Sequence, residues 1–527
     1  DTASDYNNCH RTVPELIEAV RRGVLSEGAL PLGFPTVSLC EPSLSPCSMH
    51  YRNLMALDTE AMLSAQPMDA AVLVGGCDKT VPAQLMAAIS ADIPAVMLVT
   101  GPMLAQAFEG ERLSACTDCR RYWAQFRANT IDSAEKDEVN QQLVPSVGTC
   151  SVMGTASTMA CIAEALGMTV PGGASPPAVT AERMRIAEET GARAVQMAID
   201  GLTIDRILTP DAFENAWRVL LAIGGSTNAV IHLIAIAGRL GLRLTVDDFE
   251  RLGSEMPCLL NLQPSGEHLM EDFCYAGGLP AVMKEISGHL HLDALTVTGK
   301  SIRDNIAGAE NFNQDVIKTL SQPFMEKAGI AVLRGNLSPR GAVIKPSAAT
   351  PALMVHTGRA VVFENIEEFH RLIDDESLDV DETCVLVLKN CGPKGYPGMA
   401  EVGNMPLPPK VLRKGITDMV RLSDARMSGT AYGTVILHTA PEAAAGGPLA
   451  VVRNGDMIEL DVPKRRLHLH ISDAELASRL AQWTAPPPPL DSGYWKLYVD
   501  HVLQADEGVD FDFLVGRRGA FVPRDNH

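Results

Sequence analysis

The sequence predicts an α/β protein in two parts: an N-terminal α/β domain with a mainly parallel sheet over residues 1–328, and a C-terminal β-barrel-like domain over residues 329–480. Three observations predict this. In the first part, short apolar runs such as AAVLVGG (70–76) and PAVMLV (94–99) alternate with amphipathic stretches such as VPELIEAVRRGVLSEG (13–28), the rhythm of parallel strands joined by helices. In the second, the β-rich pieces IAVLRG, GAVIKP, RAVVFEN, CVLVLKN and MIELDVPKRRLHLHI are separated by Gly, Pro and Asn turns. Finally, APPPPL (485–490) reads as a stiff spacer inside a C-terminal tail, residues 481–527. Its aromatic and acidic continuation, YWKLYVDHVLQADEGVDFDFLVG, is expected to reach another domain or a neighbouring subunit.

A chain of 527 residues, 46% hydrophobic and 20% charged, can bury large cores in more than one domain. Its formal charge of −20 repels phosphate backbones and anionic lipid, so nucleic acid and membrane partners are not expected. Apolar stretches are broken by Gly, Asp or Pro before they reach membrane-spanning length. The chain opens at Asp1 without Met, and the expectation is that the natural sequence begins upstream. A fixed-period internal repeat is not seen, which sets solenoids aside.

Twelve cysteines are too sparse and irregular for a disulfide framework; they indicate a reducing compartment, with cysteines used as ligands or core filler, and a cytoplasmic location. Cys9 in DYNNCHRT precedes an amphipathic helical pattern, Cys77 follows the strand AAVLVGG, and Cys150 in GTCSVMGTASTMACIAEALG opens a helical run. A thiolate at a helix start is stabilised by unpaired N–H groups, which lowers its pKa and favours metal ligation. Soft thiolates suit iron–sulfur clusters or zinc, and three of them leave the open position that Lewis-acid catalysis needs. Taken singly, each is more often a small buried hydrophobe. Cys116 and Cys119 form a C-x-x-C that reads as a loop or subunit contact ahead of zinc, and that keeps a redox or electron-transfer protein open as a rival function. Cys40, Cys47, Cys161, Cys258, Cys274, Cys384 and Cys391 show no ligand spacing and are expected to pack.

Asp78 and Lys79 follow Cys77 directly, placing a carboxylate and an amine beside a candidate soft ligand. Carboxylates suit Mg²⁺, and Glu41 in SLCEPSLSP and Glu401 in GPKGYPGMAEVG stand in similar Gly/Pro-rich loops. Only the fold can bring them together. Ser428 lies in the small-residue turn of LSDARMSGTAYGTVILH, close to Thr430, and it lacks the surroundings of a hydrolase nucleophile. IGGSTNAV (223–230), with Ser226 and Thr227, reads as a helix cap first and an anion site second; these two and Thr430 are candidate substrate contacts.

Taken together, GGCDKTVPAQLM, GTCSVMGTASTMACIAEALGM, IGGSTNAVIHL, GNLSPRGAVIK, GPKGYPGMAE and DARMSGTAYGTVILHTAPEAAAGGPLAVVRNGD resemble the dihydroxy-acid and sugar-acid dehydratase family over nearly the whole chain. The resemblance implies a hydro-lyase that converts a 2,3-dihydroxy carboxylic acid into a 2-keto-3-deoxy acid. It implies that Cys9, Cys77 and Cys150 hold a 2Fe–2S or 4Fe–4S cluster, that Glu41, Asp78, Glu401 and a carbamate on Lys79 hold Mg²⁺, and that Ser428 is the base. It also implies a homodimer or homotetramer. Many members read Cys-Asn at the first ligand where this chain reads Cys9-His10, which makes Cys9 the ligand to test first. The tail resembles the sugar-acid branch; the rival within the family is the branched-chain biosynthetic enzyme acting on 2,3-dihydroxy-3-methylbutanoate.

Overall fold

The computed structural model describes residues 1–253, 255–327, 329–488 and 490–516. The boundary residue Ala328, Pro489 of the spacer and the last stretch of the tail, 517–527, lie outside the described residues.

Helix α1 (Val13–Ser26) buries Val13, Leu16, Val20 and Gly23 along one stripe, as its apolar spacing dictates. After α2 (Ser48–Ala65), strand β1 (Ala71–Gly75) leads into α3 (Thr80–Ala91) and back into β2 (Ala95–Val99). The two strands are parallel, Ala71 opposite Ala95 and Gly75 opposite Val99, so α3 is a crossover helix. Thr80 to Ser90 are all buried, which explains why this helix carries apolar and small residues on every side. Its start carries the Cys77-Asp78-Lys79 triplet.

The N-terminal half is mixed α/β, but its sheet is small. Among the described residues β1 and β2 form a two-stranded parallel pair, while β3 (Gln106–Phe108) and β4 (Glu111–Leu113) make a separate antiparallel hairpin. Much of the remaining apolar text is helical: α6 (Thr155–Ala165) is buried throughout, and so is most of the helix Asn228–Arg239. Short apolar runs do not distinguish a buried strand from a buried helix, which is why a larger sheet is predicted than is found. Between them lie α4 (Thr117–Arg127) and α5 (Ser133–Gln142), and α7 (Ala181–Asp200) packs across α1.

The C-terminal strands close into an eight-stranded barrel. Strands β5 (Ala331–Gly335), β6 (Ser338–Ile344), β7 (Val355–Phe363), β8 (Val385–Leu388), β9 (Arg421–Ser423), β10 (Val435–Ala440), β11 (Met457–Asp461) and β12 (Arg466–Leu469) run in the order β10-β6-β5-β12-β11-β7-β8-β9. Closure removes the sheet edges, and alternate side chains such as Leu333, Val387, Leu422, Ile436 and Leu460 fill an apolar core. The loop from β8 to β9 carries Glu401, and the turn from β9 to β10 carries Ser428.

The described part of the tail folds onto its own chain, where the sequence left a neighbouring subunit open. The helix Gly493–His501 lies against α2, with Tyr494 donating to the His50 carbonyl at 2.9 Å. Arg52 and Asn53 of α2 donate to the carbonyl of Val509. Asp510 pairs with Arg239 through contacts of 2.5 and 3.0 Å, both side chains fully buried. Gln504 in turn bonds Glu442 after β10. The tail therefore ties the barrel to the helices. Among the described residues, no helix is long and apolar enough to cross a membrane.

Helices α1 and α7 meet through glycine. A Cβ on Gly23 would stand 1.9 Å from the Glu188 carbonyl oxygen, and one on Gly191 2.2 Å from that of Val20. Gly191→Ala is therefore expected to destabilise the fold by ~1–3 kcal/mol through overpacking. Gly288→Ala, where nothing lies within 4 Å of the new methyl, should leave stability nearly unchanged. Parallel thermal unfolding of the two variants checks this.

Candidate active site between the crossover helix and the barrel

Three carboxylates from distant segments converge. Glu41 begins a 3-10 turn (Glu41–Ser43), Asp78 sits at the junction of β1 and α3, and Glu401 comes from the loop leaving β8. One oxygen of each lies within 4.8 Å of the others. Lys79, 1% exposed, points its ammonium into the group, 2.9 Å from Glu41, 3.5 Å from Asp78 and 3.6 Å from Glu401. Arg426, fully buried, donates to Glu401 at 3.0 Å and to the Met399 carbonyl at 2.7 Å, and stands 3.8 Å from Glu41. Asn228 donates to Glu401 at 2.9 Å, and the Ser48 hydroxyl donates to Glu41.

Burial raises the Glu41 carboxyl to about 7, opposed by the charge of Lys79, and burial likewise raises Asp78. Glu401 is held below the usual carboxylate value: burial opposes this, but Lys79, Arg426, Arg120 and the Asn228 bond together prevail. The Lys79 ammonium is held above its ordinary value; burial and Arg426 oppose the charge, and the three carboxylates outweigh them.

This donor set fits a hard divalent cation, which prefers oxygen ligands. A free Lys79 ammonium occupies the centre of the group, so a cation needs that amine displaced or changed. Converting the ammonium to a carbamate subtracts two charges and a divalent cation restores two, leaving the balance of the buried group as it is.

The cysteines fall into two pairs. The Cys9 thiol is held well above its usual range by its hydrogen bond with Cys77, then by burial; Cys150 is raised in the same way by Cys116 and burial. Cys116 Sγ lies 3.9 Å from Cys150 Sγ. Contrary to the sequence expectation, none of the three candidate ligands is the N-cap of an α-helix; those positions are Thr12, Lys79 and Gly154. Cys9 lies inside a 3-10 turn (Asn8–His10), and the α-helices that follow the three thiols begin at Val13, Thr80 and Thr155, three to five residues on. Cys116 is the thiol that sits at a helix N-cap, that of α4, and it is lowered, first by the bond with Cys150. The converging sulfurs are soft donors, so this pocket fits a thiolate-ligated metal group, adjacent to the hard-cation site through the peptide link from Cys77 to Asp78.

The C-x-x-C reading does not survive as a unit, because Cys119 turns into a small apolar cluster with Tyr122 and Leu143 while Cys116 joins Cys150. Two cysteines expected only to pack lie at the site. Cys40 immediately precedes Glu41, and Cys47 Sγ contacts the carbonyls of Pro397 and Gly398, each at 3.2 Å, in the loop that carries Glu401.

Ser428 Oγ lies 2.8 Å from Thr430 Oγ1 and accepts from the Thr430 N–H at 3.3 Å. Gly429 permits this turn to press onto the start of α6, since a Cβ there would lie 2.4 Å from the Thr155 nitrogen. Ser226 Oγ is engaged with Thr155 Oγ1 at 2.9 Å and accepts from the Asn228 N–H at 3.2 Å, while Thr227, the N-cap of the helix Asn228–Arg239, makes no side-chain cap bond. Thr227 Oγ1 is buried without a protein partner.

Two residues at the heart of the arrangement, Arg426 and Asn228, carry no site assignment from sequence, and a third, His10, is read there only as the departure beside the first cysteine ligand. Arg426 stands two positions before Ser428, and Asn228 lies inside IGGSTNAV; both were within quoted motifs, yet a buried counter-charge is visible only once the carboxylates meet. His10 is the third. Its Nε2 accepts from the N–H groups of both Gly76 and Cys77 at 2.9 Å, while Nδ1 lies 3.0 Å from the Thr2 carbonyl. Burial lowers its pKa to about 4 and keeps it neutral. The residue that departs from Cys-Asn thus staples the Cys9 segment to the Cys77 turn.

Residues 1–305 match the family model described as dihydroxy-acid/6-phosphogluconate dehydratase N-terminal, and residues 315–509 match its C-terminal counterpart. The chain is 55% identical to an L-arabinonate dehydratase of Rhizobium leguminosarum bv. trifolii, over 100% of this chain and 91% of that protein. It is 53% identical to an L-arabonate dehydratase of Azospirillum brasilense, over 100% and 92%. A dihydroxy-acid dehydratase of Acetivibrio thermocellus is 39% identical over 95% and 91%.

His10→Ala would leave two buried backbone N–H groups unpaired, each costing ~1–3 kcal/mol. A loss of stability of at least ~2 kcal/mol is expected, read from the urea midpoint at constant slope.

Proposed function

The chain belongs to the dihydroxy-acid/6-phosphogluconate dehydratase family and is a hydro-lyase, and from that premise we propose that it dehydrates an aldonate-type sugar acid to a 2-keto-3-deoxy acid. In this reading Cys9, Cys77 and Cys150 hold a 2Fe–2S cluster, Glu41, Asp78, Glu401 and the carbamate of Lys79 hold Mg²⁺, and Ser428 is the base. The convergence of three carboxylate oxygens within 4.8 Å around Lys79, with Asp78 one peptide bond from Cys77, is the observation that carries it. The sugar-acid choice rests on the higher identity to the two arabinonate dehydratases than to the dihydroxy-acid dehydratase.

When bound, the cluster supplies a Lewis acid for the departing C3 hydroxyl, and Mg²⁺ supplies charge at the substrate carboxylate and C2 oxygen. The chain's own residues do the rest. Ser428 takes the C2 proton onto Oγ, and it does so as an alkoxide, whose charge the Thr430 N–H and hydroxyl are placed to receive. Arg426 and Asn228 both donate to the Glu401 oxygen that lies 3.6 Å from the Lys79 ammonium, which holds that carboxylate in one orientation beside the cation site. The largely buried setting, with Lys79 and Arg426 fully enclosed, raises the strength of these interactions.

Ser428→Ala is expected to lower kcat by ~10²–10⁴ while iron content stays at the wild-type level. The assay is keto-acid formation from L-arabinonate, D-xylonate and 2,3-dihydroxy-3-methylbutanoate. Full turnover by the variant removes Ser428 as the base, and a preference for the branched acid removes the sugar-acid assignment. Carbon-13 bicarbonate should give a carbamate signal that Lys79→Arg abolishes.

A further inference from the structure

We propose that Cys116 is a fourth, displaceable thiol ligand, closing in the substrate-free enzyme the position that substrate occupies at the cluster. The inference rests on the cluster reading above and goes beyond its three ligands. Two sulfurs bound ~2.3 Å from one tetrahedral metal stand about 3.8 Å apart. Cys116 and Cys150 stand 3.9 Å apart, far outside the ~2.05 Å of a disulfide and at the separation of two ligands on one metal. Cys116 and Cys150 on one iron would leave Cys9 and Cys77 for the other, as four cysteines divide over the two irons of a 2Fe–2S cluster.

The Cys116 segment is fixed in place by bonds to both neighbouring parts of the site. Thr117 Oγ1 donates to the Thr430 carbonyl at 2.9 Å, joining the start of α4 to the turn of Ser428. Ser114 donates to Gln263, whose carbonyl accepts from the Met153 N–H, joining the same segment to the loop of Cys150. Cys116 therefore stands beside Cys150 in a segment that is bonded directly to the turn of the proposed base. Displacement is a ligand exchange: the bond from iron to Cys116 breaks with its electron pair remaining on sulfur, the substrate oxygen takes the place, and no electron is transferred. Closure at rest shields the exposed iron from oxygen.

The test compares wild type, Cys116→Ser and, as a control for handling, Cys119→Ser, all purified anaerobically with iron-57. Mössbauer spectra, iron and sulfide content, and the rate of colour loss in air are read with and without L-arabinonate. Expected are equivalent irons in substrate-free wild type, inequivalent irons on adding the sugar acid, and inequivalent irons in Cys116→Ser from the outset, with colour lost several-fold faster in air. Inequivalent irons in substrate-free wild type, with the spectrum and air stability unchanged in Cys116→Ser, overturn the proposal and leave the three-ligand reading standing. A folded Cys116→Ser chain without iron, its fold checked by circular dichroism, makes Cys116 a fixed ligand and overturns displacement. Wild type without iron or sulfide overturns the cluster reading itself.

Discussion

The buried charge group around Lys79 is the constraint on which the remaining structure depends. Three carboxylates and two cations have been taken out of water, and any one left without its partner costs ~3–5 kcal/mol. Glu41, Asp78 and Lys79 come from the N-terminal half, and Glu401 and Arg426 from the loops of the barrel, so neither half can move without breaking the group. The eight-stranded closure gives those loops a rigid base.

Packing around the group follows from the same need. Glu442 accepts from the N–H groups of Lys394 and Gly395 and from Gln504, which pins the loop leading to Glu401. Tyr498 and Trp495 of the tail lie against Gly398 in that loop. The tail thus acts at the site through the loop it covers. On the other side, the His10 staple and the glycine contact of α1 with α7 hold the Cys9 segment against the Cys77 turn. Soft and hard donors can then share one strand-to-helix junction, with only a peptide bond between Cys77 and Asp78.

Local chemistry was legible in the sequence, and convergence was not. Cys77-Asp78-Lys79 is contiguous, so an unusual adjacency of thiol, carboxylate and amine could be read directly; the barrel strands were legible because turns punctuate β-branched runs. A helix dipole acts within about one turn of the helix end; the helices after Cys77 and Cys150 begin three and five residues on, whereas Cys116 occupies an N-cap. The larger parallel sheet was over-read because buried helices such as α6 have the same apolar text as buried strands.

By itself the sequence determined the periodicities, the motif strings and the residue types able to carry metal and proton chemistry, since these depend on neighbours along the chain. Tertiary structure alone decided that Glu41, Asp78 and Glu401 meet, that Arg426 and Asn228 orient Glu401, that Cys116 stands beside Cys150, and that the tail returns to its own chain. The physical reason is that desolvated charges and paired thiols are fixed by distances between segments up to hundreds of residues apart, and no local spacing encodes such a distance.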